Sequence, residues 1–107
     1  MRSPVVVAFG SNIGNREEMI HRGLVMLSDV VAFDAVSVFY ESAPMDIEDQ
    51  PPFLNGVVIG TTESGPVNLV KSLKAIEEAV GREQRKKNGP RELDLDLIAY
   101  GASKLVS

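Results

Sequence analysis

Two aspartates, Asp94 and Asp96, stand two residues apart in the stretch NGPRELDLDLIAYG (residues 88–101), where they alternate with Leu93, Leu95 and Leu97. On a strand, side chains two apart point the same way at a separation of roughly 6.5 to 7 Å, so the leucines can face a core while both carboxylates share the opposite face. Carboxylates at that spacing can hold one or two divalent cations whose remaining positions are filled by phosphate oxygens and water. Any antiparallel strand with one solvated face alternates in the same way, so the spacing alone leaves a plain surface open. Just ahead lies a cationic stretch, Arg82, Arg85, Lys86, Lys87 and Arg91, punctuated by Gly89 and Pro90. Such a loop suits an anionic ligand, or is a solvated connection. A second pair, Phe53 and Asn55, puts a ring and an amide on one side of another strand. A stacking surface beside a group that both donates and accepts suits a flat heterocycle. The alternatives are core packing for Phe53 and a strand-end hydrogen bond for Asn55.

The remaining composition bounds what these residues can do. A length of 107 residues allows one domain, taken as residues 1–107. No apolar run approaches the ~20 residues of a membrane span, so no membrane partner is expected. The apolar run at residues 5–9 is short and soon interrupted by Gly10, Ser11 and Asn12, unlike a secretory signal, and a cytoplasmic location is expected. Zero cysteines exclude disulfides, thiol nucleophiles and thiolate metal sites, which favours a hard cation such as Mg2+ on oxygen ligands. The net charge of −4 argues against a nucleic-acid partner, which usually calls for a basic surface to displace counterions.

Six elements can position the candidates. Residues 5–9 read as a buried strand stopped by the following Gly-Ser-Asn. Asn15 can cap a helix with Glu18 three residues on, and Ile20, Leu24 and Leu27 recur at helical spacing, so a first helix is expected to end near Ser28. Residues 31–41 alternate as one strand, with Val36, Val38 and Tyr40 on one face and Ser37, Phe39 and Glu41 on the other. Residues 42–52, with three prolines and three acids, read as an irregular loop. Residues 53–62 form a third strand. Pro66 opens a second helix whose apolar stripe is Leu69, Leu73, Ile76 and Val80, with Gly81 placed for a left-handed cap. A fourth strand covers residues 93–100. The order β-α-β-β-α-β predicts an α+β, ferredoxin-like fold, an antiparallel sheet with both helices on one face.

The motifs FGSN (residues 9–12), ESAPM (41–45), DQPPFLNGVV (49–58) and GPRELDLDLIAYG (89–101) resemble, in the right order over almost the whole chain, the 6-hydroxymethyl-7,8-dihydropterin pyrophosphokinases of folate biosynthesis. That resemblance implies a Mg2+-dependent transfer of pyrophosphate from ATP to 6-hydroxymethyl-7,8-dihydropterin, with release of AMP. It implies that Asp94 and Asp96 hold two magnesium ions against the triphosphate, Asp94 also contacting the pterin hydroxyl. Phe53 then stacks on the pterin, Asn55 reads its edge, and Ser42, Ala43, Pro44 and Met45 line the same pocket. Arg82 and Arg91 match the loop arginines that meet ATP and stabilise charge during transfer, while Glu77 lies on the nucleotide side. Ala43 and Met45 depart mildly from the family's pattern.

Members of that family continue past the fourth strand with a histidine and an arginine that touch ATP and a second aromatic on the pterin; here the sequence ends at Ser107, and His21 sits on the first helix facing solvent. Two readings therefore stand side by side: a pyrophosphokinase of minimal length, with a homo-oligomer supplying those contacts from a neighbouring subunit, and a non-catalytic pterin- or nucleotide-binding module of the same descent. A nucleic-acid module using the open sheet face is disfavoured, because the two aspartates there would repel a phosphate backbone.

Overall fold

The first strand follows from its alternation: Val5, Val7 and Phe9 are buried and Val6 and Ala8 are not, so one face is apolar and inward. The structure, a computed structural model, describes residues 2–12, 15–42, 52–81 and 93–101. In it β1 runs Ser3–Ser11, past the expected stop, because Gly10 and Ser11 still pair with Asn55 and Leu54. Helix α1 covers Arg16–Leu27. Its cap is the expected one: the Asn15 side-chain oxygen accepts from the Glu18 N–H at 3.1 Å, and Glu17 and Glu18 set negative charge at the positive end of the helix dipole. Asn15→Ala is expected to cost about 1 kcal/mol of stability and Asn15→Asp much less, readable as a shift in the urea midpoint.

Strands β2 (Ala32–Val36), β3 (Tyr40–Ser42) and β4 (Phe53–Thr62) follow, then α2 (Pro66–Gly81) and β5 (Asp94–Tyr100). The single strand expected over residues 31–41 is two strands. At the break Ser37 donates its N–H to the Val57 carbonyl at 2.9 Å, and its hydroxyl accepts the Val57 N–H at 2.9 Å. The serine side chain thus replaces the backbone acceptor that the interrupted ladder lacks, and the expected alternation does not run through. Phe39 packs instead on buried Phe9, ring centroids 5.3 Å apart and planes at 69°, an edge-to-face contact. Gly81 is the last residue of α2 rather than a cap beyond it, because the helix extends through it. Beyond α2, the basic loop of residues 82–91 lies outside the described residues, as do residues 43–51 of the irregular loop.

The sheet order is β2-β4-β1-β5, with β3 also on β4, and every pairing is antiparallel. Each helix therefore crosses over one intervening strand, the split β-α-β arrangement expected. Both helices cover one face. Met19, Ile20 and Leu27 of α1 and Leu69, Leu73, Ile76 and Val80 of α2 meet Val5, Val7, Phe9, Leu54, Val58, Leu93 and Leu95 in one core. Full burial of Ile20 or Leu69 contributes roughly 1.5–3 kcal/mol each. A Cβ on Gly23 would stand 2.6 Å from the Leu93 side chain, so a glycine lets α1 approach the start of β5. At the other end Gly101 takes φ +93 and returns its N–H to the Pro4 carbonyl, a conformation that favours glycine.

Candidate active site on the open sheet face

The face left bare by the helices carries the candidates. Alternation along β4 sends Leu54, Gly56 and Val58 inward and Phe53, Asn55 and Val57 outward, and alternation along β5 buries Leu95 while Asp94 is half-buried and Asp96 exposed. Register then assembles what the two strands present. Gly10 of β1 pairs with Asn55 on one side and Asp94 on the other; Ala8 pairs with Val57 and Asp96. Neighbouring strands lie about 4.8 Å apart, so the amide and the first carboxylate flank the central strand. Phe53, Asn55, Asp94 and Asp96 line one open cavity of about 290 Å³ with Ala8, Phe9 and Gly10.

The small residues of β1 make its floor. A Cβ on Gly10 would stand 2.8 Å from the Asn55 side-chain oxygen, closer than real contacts allow, so glycine is what permits the amide to lie over the central strand. Gly10→Ala is expected to leave folding nearly unchanged and to weaken binding of a ligand read by Asn55 by about tenfold, the loss of one good hydrogen bond. Titration of a fluorescent pterin checks it; unchanged affinity would remove Asn55 from recognition. Asn55 also donates to the Phe53 carbonyl at a long 3.5 Å, a weak bond at that length.

Two contributors, Tyr40 and Arg16, escaped the sequence. Tyr40 pairs in register with Asn55, which puts it on the same open face; the unrecognised strand break hid this neighbour. Arg16, at the start of α1, donates to the Glu41 carboxylate at 2.8 Å and to the Pro52 carbonyl at 3.0 Å. It thereby ties β3 to the residue just ahead of Phe53, across separations for which local patterning gives no signal. Glu77 accepts the Leu95 backbone N–H at 2.7 Å.

Of the remaining predicted residues, Ser42 closes β3 in register with Phe53, while Ala43, Pro44, Met45, Arg82 and Arg91 lie outside the described residues. His21 is exposed, as expected. Among the described residues no group of three or more histidines, aspartates or glutamates could by itself cage a metal ion. Two carboxylates on one strand face, both lining an open cavity, do fit a hard cation that shares its ligands with a phosphorylated substrate.

The family model for 7,8-dihydro-6-hydroxymethylpterin-pyrophosphokinase matches residues 6–106. The chain belongs to this family. Among its relatives is a mitochondrial folate synthesis bifunctional protein of Arabidopsis thaliana, 43% identical over 104 residues, which cover 96% of this chain and 19% of that protein. The 2-amino-4-hydroxy-6-hydroxymethyldihydropteridine pyrophosphokinase of Aquifex aeolicus is 36% identical over 96 residues, 90% of this chain and 60% of the relative. Its counterpart in Haemophilus influenzae is 37% identical over 97 residues, 89% and 61%. The chain thus spans about three fifths of the two bacterial pyrophosphokinases and about a fifth of the plant protein. Family membership agrees with the fold: the five-stranded antiparallel sheet and its two helices have the ferredoxin-like arrangement expected.

Proposed function

We propose that the chain transfers pyrophosphate from ATP to 6-hydroxymethyl-7,8-dihydropterin and releases AMP, a step in folate biosynthesis. The observation that carries this reading is the convergence of Phe53, Asn55, Asp94 and Asp96 on one cavity of the open face, in a chain of the pyrophosphokinase family. Phe53 offers its ring to the flat pterin and Asn55 both donates to and accepts from the polar edge. Asp94 and Asp96 would hold two Mg2+ ions, which when bound offset the negative charge of the triphosphate.

The transfer asks the protein mainly to position groups and stabilise spreading charge. The pterin hydroxymethyl oxygen attacks the β-phosphorus of ATP; an O–P bond forms there, the bond from the β-phosphorus to the α,β-bridging oxygen breaks, and AMP leaves with that oxygen. Asp94, the half-buried member of the pair, receives the hydroxyl proton. Arg82 and Arg91 are proposed to meet the phosphates, Glu77 to stand on the nucleotide side, and residues 42–45 to line the pterin pocket. No described helix is long and apolar enough to cross a membrane, and the cytoplasm is the compartment proposed.

The test is AMP formation from ATP and Mg2+ with and without the pterin. Pterin-dependent AMP supports the reading. Absence of AMP at saturating substrates, with pterin still bound by fluorescence titration, would replace it with a binding module of the same descent.

A further inference from the structure

We propose that Glu77 is a positioning residue that clamps strand β5 and so fixes the register in which Asp94 and Asp96 reach the cavity; the inference rests on the reading of that pair as the metal ligands. Strand β5 is the outer strand of the sheet, flanked only by β1 among the described residues. Its ladder is short. Four consecutive pairs, Gly10 with Asp94, Phe9 with Leu95, Ala8 with Asp96 and Val7 with Leu97, precede a register shift that sets Val6 against Ala99. Val5 against Tyr100 follows, so the strand is held on one side by six pairs in two registers, and such an edge is where fraying concentrates. A slip of one residue would turn both aspartates toward the helices and Leu95 out to solvent.

The Leu95 N–H is where this edge is fastened. In an antiparallel ladder alternate residues turn their N–H groups toward the partner strand and away from it. Leu95 turns its own away from β1, and the Glu77 carboxylate accepts it at 2.7 Å in a part-buried setting. Glu77 itself rides on α2 between Ile76 and Val80, both buried in the core, so the acceptor is anchored to a helix packed against the sheet. An ionised acceptor makes this a short, charge-assisted bond, roughly twice as strong as a neutral one. It falls on the residue between the two aspartates, so it locks the peptides from which both carboxylates project. The resemblance alone placed Glu77 near nucleotide; the geometry gives it a backbone partner that a nucleotide contact does not require.

The test compares Glu77→Ala with Glu77→Gln, which keeps the size and an acceptor oxygen. Three readouts are taken: exchange of the Leu95 amide by NMR in the free protein, referenced to the Val58 amide; Mn2+ affinity by electron paramagnetic resonance with α,β-methylene-ATP bound; and KM against kcat. Glu77→Ala is expected to lower Leu95 protection relative to Val58 by about tenfold or more, the loss of a hydrogen bond to a charged group. It is expected to weaken Mn2+ by a similar factor and to lower kcat more than it raises the KM for ATP, with glutamine restoring part of each. Unchanged Leu95 protection in the alanine protein would overturn the clamp. So would lost protection with Mn2+ affinity unaltered, and so would a rise in the ATP KM alone. Mn2+ binding that survives Asp96→Ala would overturn the metal role instead. That failure is distinguishable, because the Leu95 amide reports the clamp with neither metal nor substrate present.

Discussion

Asp96→Ala is expected to lower pterin-dependent AMP formation by about a thousandfold or more, while the thermal midpoint stays within about 4 °C of the parent. Each half of the expectation has its own cause. Asp96 is exposed on the open face and its strand neighbours Leu95 and Leu97 face the core, so removing the carboxylate opens no internal cavity; surface substitutions of this kind usually fall within ±0.5 kcal/mol. On the proposed mechanism, activity depends on the same carboxylate for neutralising charge that spreads during transfer. Loss of a single preorganised electrostatic contact of that sort typically costs about 10²–10³ in kcat, and Asp96 would contribute to two bound ions. Asp96→Asn sharpens the result: it keeps the size and loses the charge, and should be nearly as inactive. The decisive measurement is AMP release over a series of Mg2+ concentrations, paired with a thermal melt. Parental turnover in either variant would remove the metal role from this strand; a collapsed melting temperature would show the side chain to be structural.

The largest loss of stability is expected at a residue with no chemistry. Gly60 of β4 lies opposite Phe33, and a Cβ there would stand 2.2 Å from the Ala32 carbonyl oxygen and 3.0 Å from Val31. The obstructing atom belongs to the backbone, so relief requires β2 to move away from β4 rather than a side chain to rotate. Overpacking of this kind costs typically 1–3 kcal/mol and occasionally more, and a backbone obstacle belongs at the upper end, about 3 kcal/mol. At roughly 4–8 °C per kcal/mol for a domain near this size, Gly60→Ala should melt roughly 12 °C or more below the parent. Gly65 is the matched control, because a Cβ there meets nothing within 4 Å, and its alanine variant should lose less than about 1 kcal/mol. Equal midpoints for the two variants would refute the close approach of β2 and β4.

Much of this protein was legible from the chain alone, and the legible parts share one property: their signals are local. The Asn15 cap, the stripe Leu69, Leu73, Ile76 and Val80, and the alternation along residues 53–62 and 93–97 all follow from backbone periods of 3.6 and 2 acting on neighbours in sequence. Those periods determined the two helices, the inward leucines of β5 and the outward Asp94, Asp96, Phe53 and Asn55. They could not locate the break between β2 and β3, where the Val57 N–H goes to a serine hydroxyl 20 positions away. Nor could they show that Gly10 makes room for Asn55, that Arg16 reaches Glu41 and Pro52 across 25 and 36 positions, or that Glu77 holds Leu95. Each of these depends on strand register, which is set by packing between segments remote in the chain. Local alternation decided which side chains point outward; only the tertiary fold, by laying β4 and β5 on either side of β1, decided that they point into the same cavity.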